Sequence, residues 1–252
     1  MKLQFAFAVL CLTGALEGSV FSQQVARSES DVGALVRGPS FPDSYRELSA
    51  SYDASVTPEL IAMLNAGQEE AHWPRVAHML GVVGDERAVE ALITFVEKPS
   101  TQRLSNAQHD SRQAAIMSLG YLINRSGNER ALRYLVEGLT PSVWRQRNVQ
   151  GIPSWMNSNA EYDSLLSTYA LMALSLSGHP RAGEALRSLQ QTPVPAQVQF
   201  RKGLDTTLPQ WLEVHGLVAE RGVAGMYEYY ETQRQLKAER EAGEANRLRE
   251  AQ

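Results

Sequence analysis

Apolar residues recur along this chain at three- and four-residue intervals, the spacing of one helical face, and not at the two-residue alternation of a strand. Thr57 opens the pattern as an N-cap, with Pro58 at the first helical position and Leu60, Ile61 and Leu64 as a stripe. Paired helices are predicted over 72–83 and 86–97, over 110–123 and 129–139, and over 162–176 and 180–189. The segment 208–217, with Trp211, reads as a helix that closes the array after the break Thr192-Pro193-Val194-Pro195.

Within that pattern one skeleton, Gly-x-x-Arg-Ala-x-x-x-Leu, occurs three times. Its copies are Gly84, Arg87, Ala88 and Leu92; Gly127, Arg130, Ala131 and Leu135; and Gly178, Arg181, Ala182 and Leu186. Each glycine can adopt the left-handed conformation that ends a helix. The residue after it, Asp85, Asn128 or His179, stands where an N-cap is needed, and Pro180 follows His179. Ala and Leu of the motif lie four apart and share an inward face. The repeated Arg sits in a first turn, where its charge opposes the helix dipole, so a carboxylate or carbonyl of the neighbouring repeat is expected to hold it. Upstream, Leu80-Gly81, Leu119-Gly120 and Leu174-Ser175 correspond, and the small residue allows two helices to cross closely.

The repeated arginines are 43 and 51 residues apart. This spacing, with Leu80-Gly81-x-x-Gly84-Asp85-x-Arg87-Ala88-Val89-x-x-Leu92, resembles the HEAT-like repeat of the kind also found in phycobilin lyases. The resemblance covers roughly residues 57–190. It implies an all-α solenoid of three to four stacked helical hairpins, in which each hairpin buries its face on the next.

The flanks differ in composition. Residues 1–22 have the form of a secretory signal peptide: Lys2, an apolar core from Phe5 to Leu16, and small residues before Gln23. The reading predicts export to a periplasmic or extracellular space, with an uncleaved anchor as the alternative. Cys11 is the sole cysteine, so a processed chain would contain none. Residues 23–56, rich in Ser, Gly and Pro, read as a flexible linker. The repeat domain spans 57–217, and 218–252 reads as a charged helix or tail, with a coiled coil as a further reading.

Composition is that of an ordinary globular protein, 43% apolar and 21% charged. A net charge of −4 argues against a nucleic-acid binder driven by phosphate contacts. His72 and His78 are six apart and cannot form the helical metal pair, which requires three or four. His109-Asp110 has the residue types of an acid–base pair, but Asp110 equally suits a helix entry. Asn124-Arg125-Ser126 fits the glycosylation pattern. No nucleophile elbow, phosphate loop or dinucleotide fingerprint is present, and no catalytic, cofactor or metal site is expected.

The segment 140–161 interrupts the array and concentrates Trp144, Arg145, Arg147 and Trp155, residue types that dominate interface centres. These four are the candidate partner-binding residues. The competing reading is that both tryptophans fill the gap left by a missing hairpin. Two functions follow: a non-enzymatic scaffold that binds a protein partner, or a cofactor-handling enzyme of the phycobilin-lyase type. The signal peptide favours the first.

Overall fold

The computed structural model describes residues 29–42, 44–100, 103–191 and 198–250. The segment 1–22, read above as a signal peptide, and the expected Thr192–Pro195 break lie outside the described residues. Those residues form eleven α-helices and, among them, no β-strand, so the fold is all-α. The helices are α1 (Glu29–Arg37), α2 (Tyr45–Ser51), α3 (Thr57–Asn65), α4 (Trp73–Val83), α5 (Glu86–Glu97) and α6 (Asn106–Ser126). They continue with α7 (Glu129–Gly138), α8 (Pro141–Gln146), α9 (Asn159–Ser177), α10 (Pro180–Gln191) and α11 (Val198–Glu250). No described helix is long and apolar enough to cross a membrane.

The three first helices of the sequence pairs, α4, α6 and α9, pack one on the next, and α11 packs on α9. The second helices α5, α7 and α10 lie against them: α5 on α6, α7 on α6 and α9, and α10 on α9 and α11. Glycine sets the spacing of the first row. A Cβ on Gly81 would stand 2.7 Å from the Cα of Ser118 on α6, and one on Gly120 would overlap the Ala173 carbonyl on α9. The glycines after Leu80 and Leu119 therefore permit the close crossings that the sequence implies. Ser118 uses the approach, donating its hydroxyl to the Ala77 carbonyl at 2.8 Å.

The repeated turns behave as three variants of one device. Asp85 accepts from the Arg87 N–H, Asn128 from the Ala131 N–H, and His179 Nδ1 from the Arg181 N–H at 3.3 Å, so all three cap their helices. Gly127 and Gly178 are left-handed at φ 64° and 57°. Gly84 is not: at φ −62° and ψ 157° its backbone is extended. Glycine is needed there for space, because a Cβ would lie 2.8 Å from that of Ala88 and overlap the Leu80 carbonyl. At Gly127 the need is conformational alone, since an added Cβ meets nothing within 4 Å. Gly127→Val should therefore cost about 1–2 kcal/mol from backbone strain, read as a shift in the denaturant midpoint.

The repeated arginines find carboxylates. Arg130 of α7 pairs with Glu90 of α5, and Arg181 of α10 pairs with Glu129 of α7 at 2.5 Å. Arg87, first in the series, falls back on its own N-cap Asp85 at 2.6 Å. These pairs are exposed, and each contributes little beyond registration.

Two expectations are corrected. Residues 29–56 are not a linker: α1 and α2 pack on the array, burying Val32, Val36, Leu48, Tyr45 and Tyr52. Arg37 ties α1 to Glu69 through a two-pronged pair at 2.6–3.2 Å, and Arg75 donates to the Val36 and Gly38 carbonyls. Thr57 does not cap α3. It lies inside the helix, fully buried, and its hydroxyl accepts the Asp85 N–H across the hairpin. Of the two readings of the C-terminal segment, a charged helix or a tail, the described residues to Glu250 are helical. Gly222, at φ 70° and ψ 176°, breaks α11, and Val214, Val218, Val223 and Met226 bury its inner face. Beyond Tyr230 every described side chain is exposed.

Candidate functional site

The segment 140–161 forms the short helix α8 and an irregular loop that leads into α9. Pro141 starts α8, where its missing N–H costs nothing. The four sequence candidates separate at once by burial.

Trp144 is fully buried. Its indole N–H reaches the Gly138 carbonyl at 2.8 Å and the Ser167 hydroxyl at 3.1 Å, and Tyr134 meets it edge-on at 5.8 Å. The expectation that Trp144 is a partner anchor is therefore corrected: it is a core residue that seals α8 onto α7 and α9. Arg147, only 12% exposed, lies 3.8 Å over the Tyr134 ring and donates to the Tyr134 carbonyl and to Glu137. It too holds the loop to α7 instead of reaching outward.

Arg145 and Trp155 do face solvent. The Arg145 side chain is 66% exposed, but one guanidinium nitrogen binds Asp163 at 2.8 Å. Asp163 is buried, and burial holds its carboxyl above the usual range against the opposing pull of Arg145. Trp155 is the most exposed large apolar side chain among the described residues, at 55%.

The loop that carries Trp155 is held from below by two arginines that the sequence does not single out. Arg112 of α6, itself buried, donates to the Gln150 carbonyl at 3.1 Å and the Lys98 carbonyl at 3.1 Å. Arg103 donates to the Pro153, Ser154 and Met156 carbonyls at 2.9–3.2 Å. A single parallel bridge joins Leu104 to Pro153, with the Leu104 N–H on the Ile152 carbonyl at 3.0 Å. Guanidinium groups suit this task because several fixed N–H donors saturate carbonyls that a loop cannot pair by itself. Asn148 and Gly151, both at positive φ, let the backbone turn between the clamps.

Beneath Trp155 lies an aromatic cluster centred on His109 of α6. The two rings meet at 5.2 Å and nearly perpendicular. His109 is 6% exposed. Its Nδ1 faces the Tyr162 hydroxyl at 3.4 Å and its Nε2 the Tyr169 hydroxyl at 3.3 Å, both from α9. Burial pushes the imidazole below its ordinary range, Asp110 raises it in part, and Arg112 lowers it further. His109 therefore hydrogen-bonds into the core, while Asp110 is exposed at the surface. The acid–base pairing of these two neighbours is not what the geometry builds.

The other sequence sites resolve similarly. No group of three or more metal-ligating side chains occurs among the described residues. The Asn124 amide lies on α6 and donates to the Ser177 carbonyl at 3.0 Å, which engages the group that glycosylation would need. A separate cleft of about 490 Å³ runs between Tyr52, Val82–Glu86 and Arg125. Arg125 is tied there to the Val82 and Gly84 carbonyls. Comparison with family models, curated proteins and solved structures gave no match.

Proposed function

We propose that this chain is an exported, non-enzymatic scaffold built as a HEAT-like α-solenoid, and that it binds a protein partner through the loop 148–158. The observation that carries the reading is a large indole left in solvent on a loop whose backbone is fixed at four carbonyls by Arg103 and Arg112. Rigid presentation of an aromatic side chain lowers the entropic cost of binding, and tryptophan is enriched at interface centres. Arg145 flanks this surface as a charged contact, while Trp144 and Arg147 support it from behind. The repeated Gly-x-x-Arg-Ala-x-x-x-Leu turns and the close α4–α6–α9 crossings support the solenoid reading.

Trp155→Ala tests the binding surface at the exposed member of the His109 cluster. The variant should keep its melting temperature within about 4 °C, because more than half of the residue is already in water and a loss of about 1 kcal/mol shifts a chain of this size by about 2–4 °C. Its affinity for the partner, captured by wild-type protein from an envelope or culture extract, should fall by about 30-fold, as for an interface centre worth about 2 kcal/mol. Unchanged capture would move the binding surface elsewhere on the array. Arg145→Ala and Arg147→Ala are weaker tests, since each also removes a tie that holds the loop or Asp163.

A further inference from the structure

His109 serves no bond in the loop clamp, yet it occupies the centre of the cluster on which Trp155 rests. A neutral imidazole has one donor and one acceptor nitrogen. It therefore fits between two phenols: one hydroxyl donates to the bare nitrogen and the other accepts from the N–H. An imidazolium has two donors and no acceptor, so the phenol that donated must turn round. Tyr162 already lies 3.5 Å from the Arg112 guanidinium, so a charged ring would bring a second cation to the same hydroxyl. The surround supplies little to offset that charge. On α6 it faces Arg112, which opposes a proton, and Asp110, which is exposed and favours one. On α9 it faces Tyr162 and Tyr169, whose ionisation burial pushes upward, so both stay neutral. Glu70, from the turn before α4, is engaged with Ser105 and Gln108 at the start of α6. On the loop side the ring meets Trp155, the exposed member of the cluster.

We propose that His109 is a proton-operated latch for the Trp155 loop: the neutral ring seats Trp155, and protonation drives the ring toward water and unseats it. Only the functional meaning of the latch rests on the partner-binding reading; the movement itself does not. The sign is fixed by burial. A proton is bound more weakly in the seated state than in the open one, so seating is at full strength above the ordinary histidine value of about 6.5 and weakens as pH falls below it.

The test needs no partner, so its failure is separable from failure of the binding surface. Amide hydrogen exchange across 150–157, corrected for intrinsic rate, is compared at pH 7.5 and pH 5.0 in the wild-type chain and in His109→Gln, which is uncharged at both. Exchange in the wild type should be at least tenfold faster at pH 5.0, and in His109→Gln it should be unchanged. In parallel, NMR follows the His109 ring and the Trp155 indole N–H, the latter assigned by its loss in Trp155→Phe. The two should move together with one midpoint below 6.5, which keeps the test valid if His109→Gln fails to fold. An equal pH response in His109→Gln would overturn the latch. So would a His109 titration that leaves the Trp155 resonance still.

Discussion

Trp144→Ala is expected to lower the unfolding free energy by about 3–5 kcal/mol, the range for truncating a fully buried tryptophan. The ring is closed on every side: Tyr134 stands at its edge, and Gly138 leaves room for it, since a Cβ there would lie 2.6 Å from the indole. Truncation also strips the donor from the Gly138 carbonyl and the Ser167 hydroxyl, both inside the core. Chemical denaturation followed by circular dichroism measures the loss. A cost under about 1 kcal/mol would mean that α8 is not sealed onto α7 and α9 as described. The contrast with Trp155→Ala, which should cost about 1 kcal/mol in the same assay, separates the two tryptophans of one segment.

Gly120→Val is the second large effect, and it acts through backbone rather than side chain. The added Cβ would overlap the Ala173 carbonyl and lie 2.8 Å from its carbon and 3.0 Å from its Cα, none of which can rotate away. Helices α6 and α9 would have to move apart along a crossing that both bury. Overpacking of this kind costs about 1–3 kcal/mol where flexible groups yield, and more where they cannot. We expect about 3 kcal/mol or more, above the strain of about 1–2 kcal/mol at Gly127, where no atom is met. Thermal unfolding of the pair compares them directly, and equal costs would contradict the close crossing.

Much of this frame is legible in the residues. The caps follow from Asp85, Asn128 and His179, the crossings from Gly81 and Gly120, and the Arg130 and Arg181 pairs from the electrostatic awkwardness of a cation in a first turn. What is hidden is long-range. Val32 and Val36 are spaced four apart, the one local sign of α1, but Ser, Gly and Pro around them mask it. Tertiary burial, and not local propensity, then decides that α1 and α2 dock. The clamp by Arg103 and Arg112 joins residues 38 to 53 positions apart, and nothing in either neighbourhood names its partner carbonyls. Trp144 and Trp155 carry the same residue type in the same polar segment. Only the position of α8 after Pro141 turns one inward, and only the two arginine clamps hold the other out.

The partner surface is tested most directly by photo-crosslinking from Ser154, which is exposed beside Trp155 and leaves the indole in place. A benzophenone amino acid placed there, and at the exposed Leu236 as a control, is irradiated in the same extract. One discrete adduct is expected from position 154, absent from 236, that excess wild-type protein suppresses and excess Trp155→Ala does not. No adduct at 154, or equal suppression by both competitors, would contradict the binding surface.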